Sequence, residues 1–304
     1  MTGKSDVPLI VVLIALLVAW YIGSVALNAP VLLDNYARNH IAFNWTQFVL
    51  DAWNQSRPVL PSPHQVAIEV WKTTMEVAPN SKRSLVYHSW VTLSATLLGF
   101  AIGTVLGIVL AVLIVHNDAS DRSLMPWIIA SQTVPIVALA PMFVVVTYNI
   151  LTGDNLLAHA FHLNADSARL VSKGLISTYL SFFPVVVGMV KGFRSPEALH
   201  LDLMRTYNAS RARTFWKLRF PIALPYLFTS MKVAVAASLV GAIVGELPTG
   251  AVAGLGARLL GGSYYGQTVQ IWSALVAAAV LAGLLVVAVG IAERLVMSRM
   301  GARP

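Results

Sequence analysis

An all-α membrane protein with about six transmembrane helices is the fold class this sequence predicts, and three observations predict it. Of the 304 residues, 57% are hydrophobic and only 11% are charged, with a mean hydropathy of +0.71; soluble domains carry about 25% charged residues. About six apolar stretches approach the roughly 20 residues needed to cross a bilayer: 8–27, 88–115, 123–150, 170–192, 222–246 and 270–293. The basic residues then fall on alternate loops. The segment 193–221 holds Arg194, Arg205, Arg211, Arg213, Lys217 and Arg219, and Arg294, Arg299 and Arg303 follow the last stretch. Lys4 precedes the first, while the opposite loop around 247–269 holds only Arg258. By the positive-inside rule, the basic segments and both termini are cytoplasmic. The net charge of +8 therefore records topology, with lipid as the partner and nucleic acid excluded. With no cysteine in the chain, disulfides, iron–sulfur clusters and thiol catalysis are excluded too.

Taken in order, the first stretch is a retained helix rather than a signal peptide, because its core runs unbroken through Trp20 and Tyr21 without a small-residue cleavage site. Residues 28–87 are polar and aromatic, with Arg38, Asn44, Trp45, Trp53, Arg57, Lys82 and Arg83, and long loops escape the charge rule. Within them Leu60-Pro61-Ser62-Pro63 opens a short helix: Ser62 caps it, Pro63 suits its first turn and Gln65 completes a capping box. Val66, Val70, Trp71 and Val77 then share one face, as on a helix lying along the bilayer surface. The second span carries Gly99, Gly103 and Gly107 at four-residue spacing, and Gly188 with Gly192 and Gly241 with Gly245 repeat the device. Such faces let helix backbones approach closely.

Function-bearing candidates lie where the spans are interrupted. The third reads Ser131-Gln132-Thr133-Val134-Pro135 through Ala140-Pro141. A proline frees a backbone carbonyl that lipid cannot satisfy, so the break faces protein or a water-filled path. Gln132, Thr133 and Pro135 are candidate path residues, joined by Thr178 and Tyr179 on the fourth span, near Phe183-Pro184. Glu246, at the extracytoplasmic end of the fifth span just before Pro248 and Gly254-Leu255-Gly256, is either a path residue or a solvated or hydrogen-bonded structural carboxylate. Lys191 and Lys232 are read as snorkelling from helix ends. His159 and His162 have no carboxylate or cysteine support, so neither a metal site nor a catalytic cluster is expected.

The most informative segment runs from Asp202 to Pro221 in the basic loop. It resembles the signature loop of binding-protein-dependent ABC import permeases, Glu-Ala-Ala, three residues, Gly, nine residues, Ile, one residue, Leu-Pro. Asp202-Leu203-Met204 stands for Glu-Ala-Ala, Asn208 for the glycine, Leu218 for the isoleucine and Phe220-Pro221 for Leu-Pro. Asn is the side chain that best replaces glycine in a left-handed turn. With Gln132-Thr133-Val134-Pro135, Phe183-Pro184, Ala223-Leu224-Pro225, Glu246, Gly254-Leu255-Gly256 and Glu293-Arg294 in order, the chain is similar to the nitrate/sulfonate/taurine-type branch over roughly residues 60–295.

That resemblance implies a type I ABC importer permease (MetI-like) fold over 60–304, preceded by an N-terminal helix and extracytoplasmic extension over 1–59. It implies a multi-pass protein of the bacterial inner membrane that imports a small polar or anionic solute, sulfonate- or nitrate-like, or a pyrimidine- or vitamin-like heteroaromatic. The partners implied are a second permease copy in a homodimer, two ABC ATPase subunits and a periplasmic substrate-binding protein. ATP and Mg²⁺ would sit in the ATPase, since this chain has no phosphate-binding Gly-x-x-x-x-Gly-Lys-Ser/Thr loop, is not expected to be an enzyme and needs no cofactor of its own. Asp202, Leu203, Met204, Tyr207, Asn208, Ala209, Ser210, Arg211 and Pro221 would form the coupling loop. The rival class, an ion-gradient-driven transporter, calls for repeated halves and ionisable residues within the spans; the sequence shows no repeat and almost no such residues.

Overall fold

The computed structural model describes residues 7–153, 164–248 and 253–300. His159, His162, Lys4 and Arg303 lie outside the described residues. The described residues are all helix, turn and loop, with no strand among them. In chain order the helices are α1 (Val7–Arg38), α2 (Trp45–Trp53), α3 (Pro63–Trp71), α4 (Leu85–His116), α5 (Asp118–Ser131), α6 (Ile136–Thr152), α7 (Ala165–Arg194), α8 (Ala198–Thr206), α9 (Arg211–Thr214), α10 (Phe220–Glu246), α11 (Leu255–Tyr264) and α12 (Thr268–Arg299). Among the described residues five segments are long and apolar enough to cross a membrane: α1, α4, α7, Arg211–Glu246 and α12. The bent pair α5 and α6 makes a sixth when counted as one broken span.

Two expectations change here. The first helix does not stop near Leu27 but continues through Pro30 to Arg38. Pro30 removes a single backbone donor, and apolar Val31, Leu32 and Leu33 carry the helix on. The third span is not one kinked helix over 123–150. Its halves meet at 102°, because Pro135 has no N–H and drives Val134 away from helical geometry. The chain restarts with the Pro135 carbonyl accepting from Ala138 N at 3.0 Å.

The chain forms two compact units, residues 1–88 with 258–277, and residues 89–257 with 278–304. In the first, the buried Asn28 of α1 satisfies the chain folding back on it. Its amide donates to the Ala52 and Leu60 carbonyls, both at 3.0 Å, and its oxygen accepts from Val59 N at 2.7 Å and Leu60 N at 3.1 Å. Residues 28–59 are thus a continuation of α1 plus a short helix clasped to it. Gln65 accepts from Ser62 N at 3.2 Å, closing the expected capping box. Arg258 is buried, donating to the Arg83 carbonyl at 2.9 Å and to Glu69 at 3.3 Å. Burial pulls its guanidinium below the ordinary value, opposed by the Glu69 carboxylate.

The second unit is built around α7, whose Val185, Val186, Met189, Val190 and Phe193 pack with Ala111 and Ile114 of α4, Ile128 of α5 and Ala223, Leu227 and Ala234 of α10. The glycine faces make this possible. A side chain on Gly99 of α4 would overlap Ser177 and sit 2.6 Å from the Gly174 carbonyl, and one on Gly241 of α10 would sit 2.8 Å from the Ser177 backbone. Ser177 donates to the Ser238 carbonyl at 2.9 Å and Ser238 to the Thr96 carbonyl at 2.8 Å. Such bonds contribute about 0.6 kcal/mol each within a bilayer, so close packing of small residues does most of the joining.

Candidate functional site

The basic loop folds as the signature requires. Helix α8 ends at Thr206, and the chain reverses at Asn208, which adopts φ 49. Asn208 N donates to the Arg205 carbonyl at 2.8 Å and Ala209 N to the Met204 carbonyl at 2.9 Å. These two bonds with a left-handed residue between them define the Schellman stop of a helix. Ser210 then accepts from Arg213 N at 3.3 Å and caps α9, which passes through a π turn at Phe215–Arg219 into α10, with Pro221 in its first turn. Asp202 pairs with Arg205 at 2.9 Å on the exposed surface. Helix α8 has no buried residue.

At the break between α5 and α6, Gln132, Thr133 and Pro135 are exposed, and the Tyr179 hydroxyl donates to the Ser131 carbonyl that the broken helix frees. These four candidates are therefore brought together. Thr178 is not with them: it is buried between α4 and α7, donating to the Gly174 carbonyl at 2.9 Å and the Gly99 carbonyl at 3.3 Å. That placement makes it a packing residue rather than a lining group.

Glu246 also lies apart from the break. It is wholly buried, accepting from Thr92 at 2.9 Å and from Gly256 N at 2.7 Å, with Lys173 Nζ at 3.6 Å. Thr92 in turn accepts from Leu255 N at 2.8 Å. Gly254, at φ 128, and Gly256 wrap the carboxylate so closely that a side chain on either would overlap it or its stem. The Gly254-Leu255-Gly256 run is thereby explained. Lys173 was missed from the sequence, although a charge inside an apolar span signals a specific partner. Lys232 is corrected as well: it stands well inside α10, not near a helix end, and pairs with Glu293 of α12 at 2.5 Å. Among the described residues, Lys173–Glu246 and Lys232–Glu293 are thus ion pairs between spans where the sequence suggested almost no charge. Among the described residues no group of three or more potential metal ligands is gathered.

Residues 103–301 match the family of binding-protein-dependent transport system inner membrane components. The chain belongs to that family. The permease is 32% identical over 199 residues to the formylaminopyrimidine transport permease protein ThiX of Halalkalibacterium halodurans, covering 65% of this chain and 68% of the relative. It is 29% identical over 239 residues to the riboflavin transport system permease protein RibX of Chloroflexus aurantiacus, covering 79% and 80%. It is 24% identical to the putative aliphatic sulfonates transport permease protein SsuC of Bacillus subtilis, covering 74% and 72%. A solved structure described as inward facing conformations of the MetNI methionine ABC transporter shares its fold, with a TM-score of 0.56, 20% identity and coverage of 70% of this chain and 95% of that one. The chain is accordingly a multi-pass membrane permease for binding-protein-dependent import, with the all-helical fold expected of that class.

Proposed function

We propose that this permease is the membrane subunit of an ATP-driven importer that moves a small polar or anionic solute into the cytoplasm by alternating access. Two copies form one path, two ABC ATPase subunits bind ATP and Mg²⁺ beneath it, and a periplasmic binding protein delivers the solute. Both termini and the basic loop face the cytoplasm of the inner membrane, as the arginine and lysine distribution supports. Relatives named for formylaminopyrimidine, riboflavin and aliphatic sulfonates support a small heteroaromatic or oxyanionic cargo. Gln132, Thr133, Pro135 and Tyr179 are the proposed lining at the broken span, where weak polar contacts let the cargo leave.

The observation that carries this reading is the bare surface of α8. Leu199 is 75% exposed, Leu203 51% and Tyr207 73%, and their four-residue spacing places them along one side of the helix and its cap. An apolar stripe among arginines, on a loop outside the bilayer, calls for a protein partner. Coexpressed with its ATPase, the wild-type chain is expected to retain that subunit through purification. Leu203→Glu or Tyr207→Ala should weaken retention roughly thirtyfold, as loss of an interface anchor worth about 2 kcal/mol does. Undiminished retention by both variants would remove α8 as the docking element.

A further inference from the structure

At the end of the second unit opposite the basic loop, the last two turns of α6, the first turns of α7 and the residues just after α10 border an open cavity of about 250 Å³, lined by Val145, Tyr148, Asn149, Arg169, Ser172 and Pro248. Neither the break at residues 132–135 nor the loop from Asp202 to Pro221 contributes a residue to it. Its polar groups converge from two helices beside apolar side chains, and at just under the roughly 300 Å³ where drug-sized ligand sites begin it suits only a small solute or one group of it.

The charge balance of this cavity is one-sided. One turn deeper on α7, Lys173 is held by the buried Glu246, so that pair neutralises itself. Arg169 is left facing the cavity with a single carboxylate, Asp166, at 3.5 Å. Asp166 is 93% exposed, so the pair is a water-screened surface contact of little strength. Among the described residues that line the cavity there is no carboxylate. A guanidinium has five donors in a planar fork that fits an oxyanion in bidentate fashion, and the Arg169 fork has one long bond to Asp166. The Tyr148 ring and Val145 offer a flat apolar wall to whatever carries the anion.

We infer that this cavity receives the anionic group of the solute at the outer mouth of the permease, with Arg169 as the anion-binding residue. The acceptable ligands are small sulfonates, carboxylates or similar oxyanions on a compact or aromatic body. This rests on the importer reading only for the word outer; binding itself does not depend on it.

The absence of native cysteine allows a direct test in nanodiscs, where both faces are open. Val145→Cys places a thiol in the cavity wall, and its modification by sulfonatoethyl methanethiosulfonate is compared with that by the trimethylammonioethyl reagent. The anionic reagent should react several-fold faster, and benzenesulfonate should protect the thiol while the neutral benzenesulfonamide does not. Arg169→Gln should abolish the reagent preference and weaken protection about tenfold, the scale of a charge-assisted bond at a half-exposed site. Asp166→Asn, which removes only a weakly held, exposed negative charge beside the fork, should keep both the protection and the preference for the anionic reagent, which shows that the loss in Arg169→Gln is specific to the guanidinium. Equal protection by sulfonate and sulfonamide, or protection unchanged in Arg169→Gln, would overturn the assignment. Since neither ATPase nor binding protein enters the assay, failure of the importer reading would leave its result intact.

Discussion

Glu246→Ala should destabilise the folded permease by about 3–5 kcal/mol, the scale set by stranding one member of a buried ion pair. The carboxylate is wholly buried and accepts from Thr92 and Gly256 N while facing Lys173. Removing it leaves an ammonium, a hydroxyl and a backbone N–H without that acceptor in an apolar interior. Glu246→Gln keeps an acceptor for Thr92 and Gly256 but not the charge opposite Lys173, so a smaller loss is expected. Combining Glu246→Leu with Lys173→Met should recover much of the stability, since a buried pair replaced by apolar groups of similar size is often neutral. The measure is the thermal midpoint of purified protein and the fraction that stays monodisperse in detergent. If Glu246→Ala matches wild type on both, the cluster does not lock α4, α7 and α10 together.

For coupling, the largest effect is expected at Asn208. Its φ of 49 lies in the left-handed region, where a β-branched side chain meets the following carbonyl and costs about 1–2 kcal/mol. Asn208→Val should distort the stop of α8 and uncouple ATP hydrolysis from uptake while leaving the membrane core intact. Asn208→Gly adopts the same conformation freely and should stay active. Binding-protein-stimulated ATPase activity and subunit retention, measured on purified complexes, separate these outcomes. Transport by Asn208→Val at the wild-type level would show that this turn does not position the coupling helix.

What the sequence made legible follows from short-range physics. Asn208 could be placed because a left-handed helix stop admits few residue types, and the Gly99, Gly103 and Gly107 face because only small side chains let membrane helices touch. The capping box at Ser62 and Gln65 was legible for the same local reason. Most of the misreadings needed partners distant in sequence, and the others turned on an angle or a helix phase that residue types do not specify. Residues 28–38 stay helical with the help of Asn28, whose four hydrogen bonds go to residues 52–60. A proline signals a break but not its angle, so the 102° bend could not be read. Lys173 and Glu246 lie 73 positions apart and Lys232 and Glu293 61 apart, and nothing in either neighbourhood names the other. Thr178 and Tyr179 are adjacent in the chain, yet one faces the α4 glycines and the other the broken helix. A phase error of one residue on α7 exchanges their roles.

The central claim, that transport is driven by a separate ATPase through α8, is tested most directly by uptake into sealed vesicles. The permease is reconstituted with and without its ATPase and binding protein, with ATP or with an imposed proton or sodium gradient. Uptake should require ATP, the ATPase and the binding protein together, and a gradient alone should give none. Uptake driven by a gradient with no ATPase present would contradict the account, leaving Lys173–Glu246 and Lys232–Glu293 to be reconsidered as ion-coupling groups.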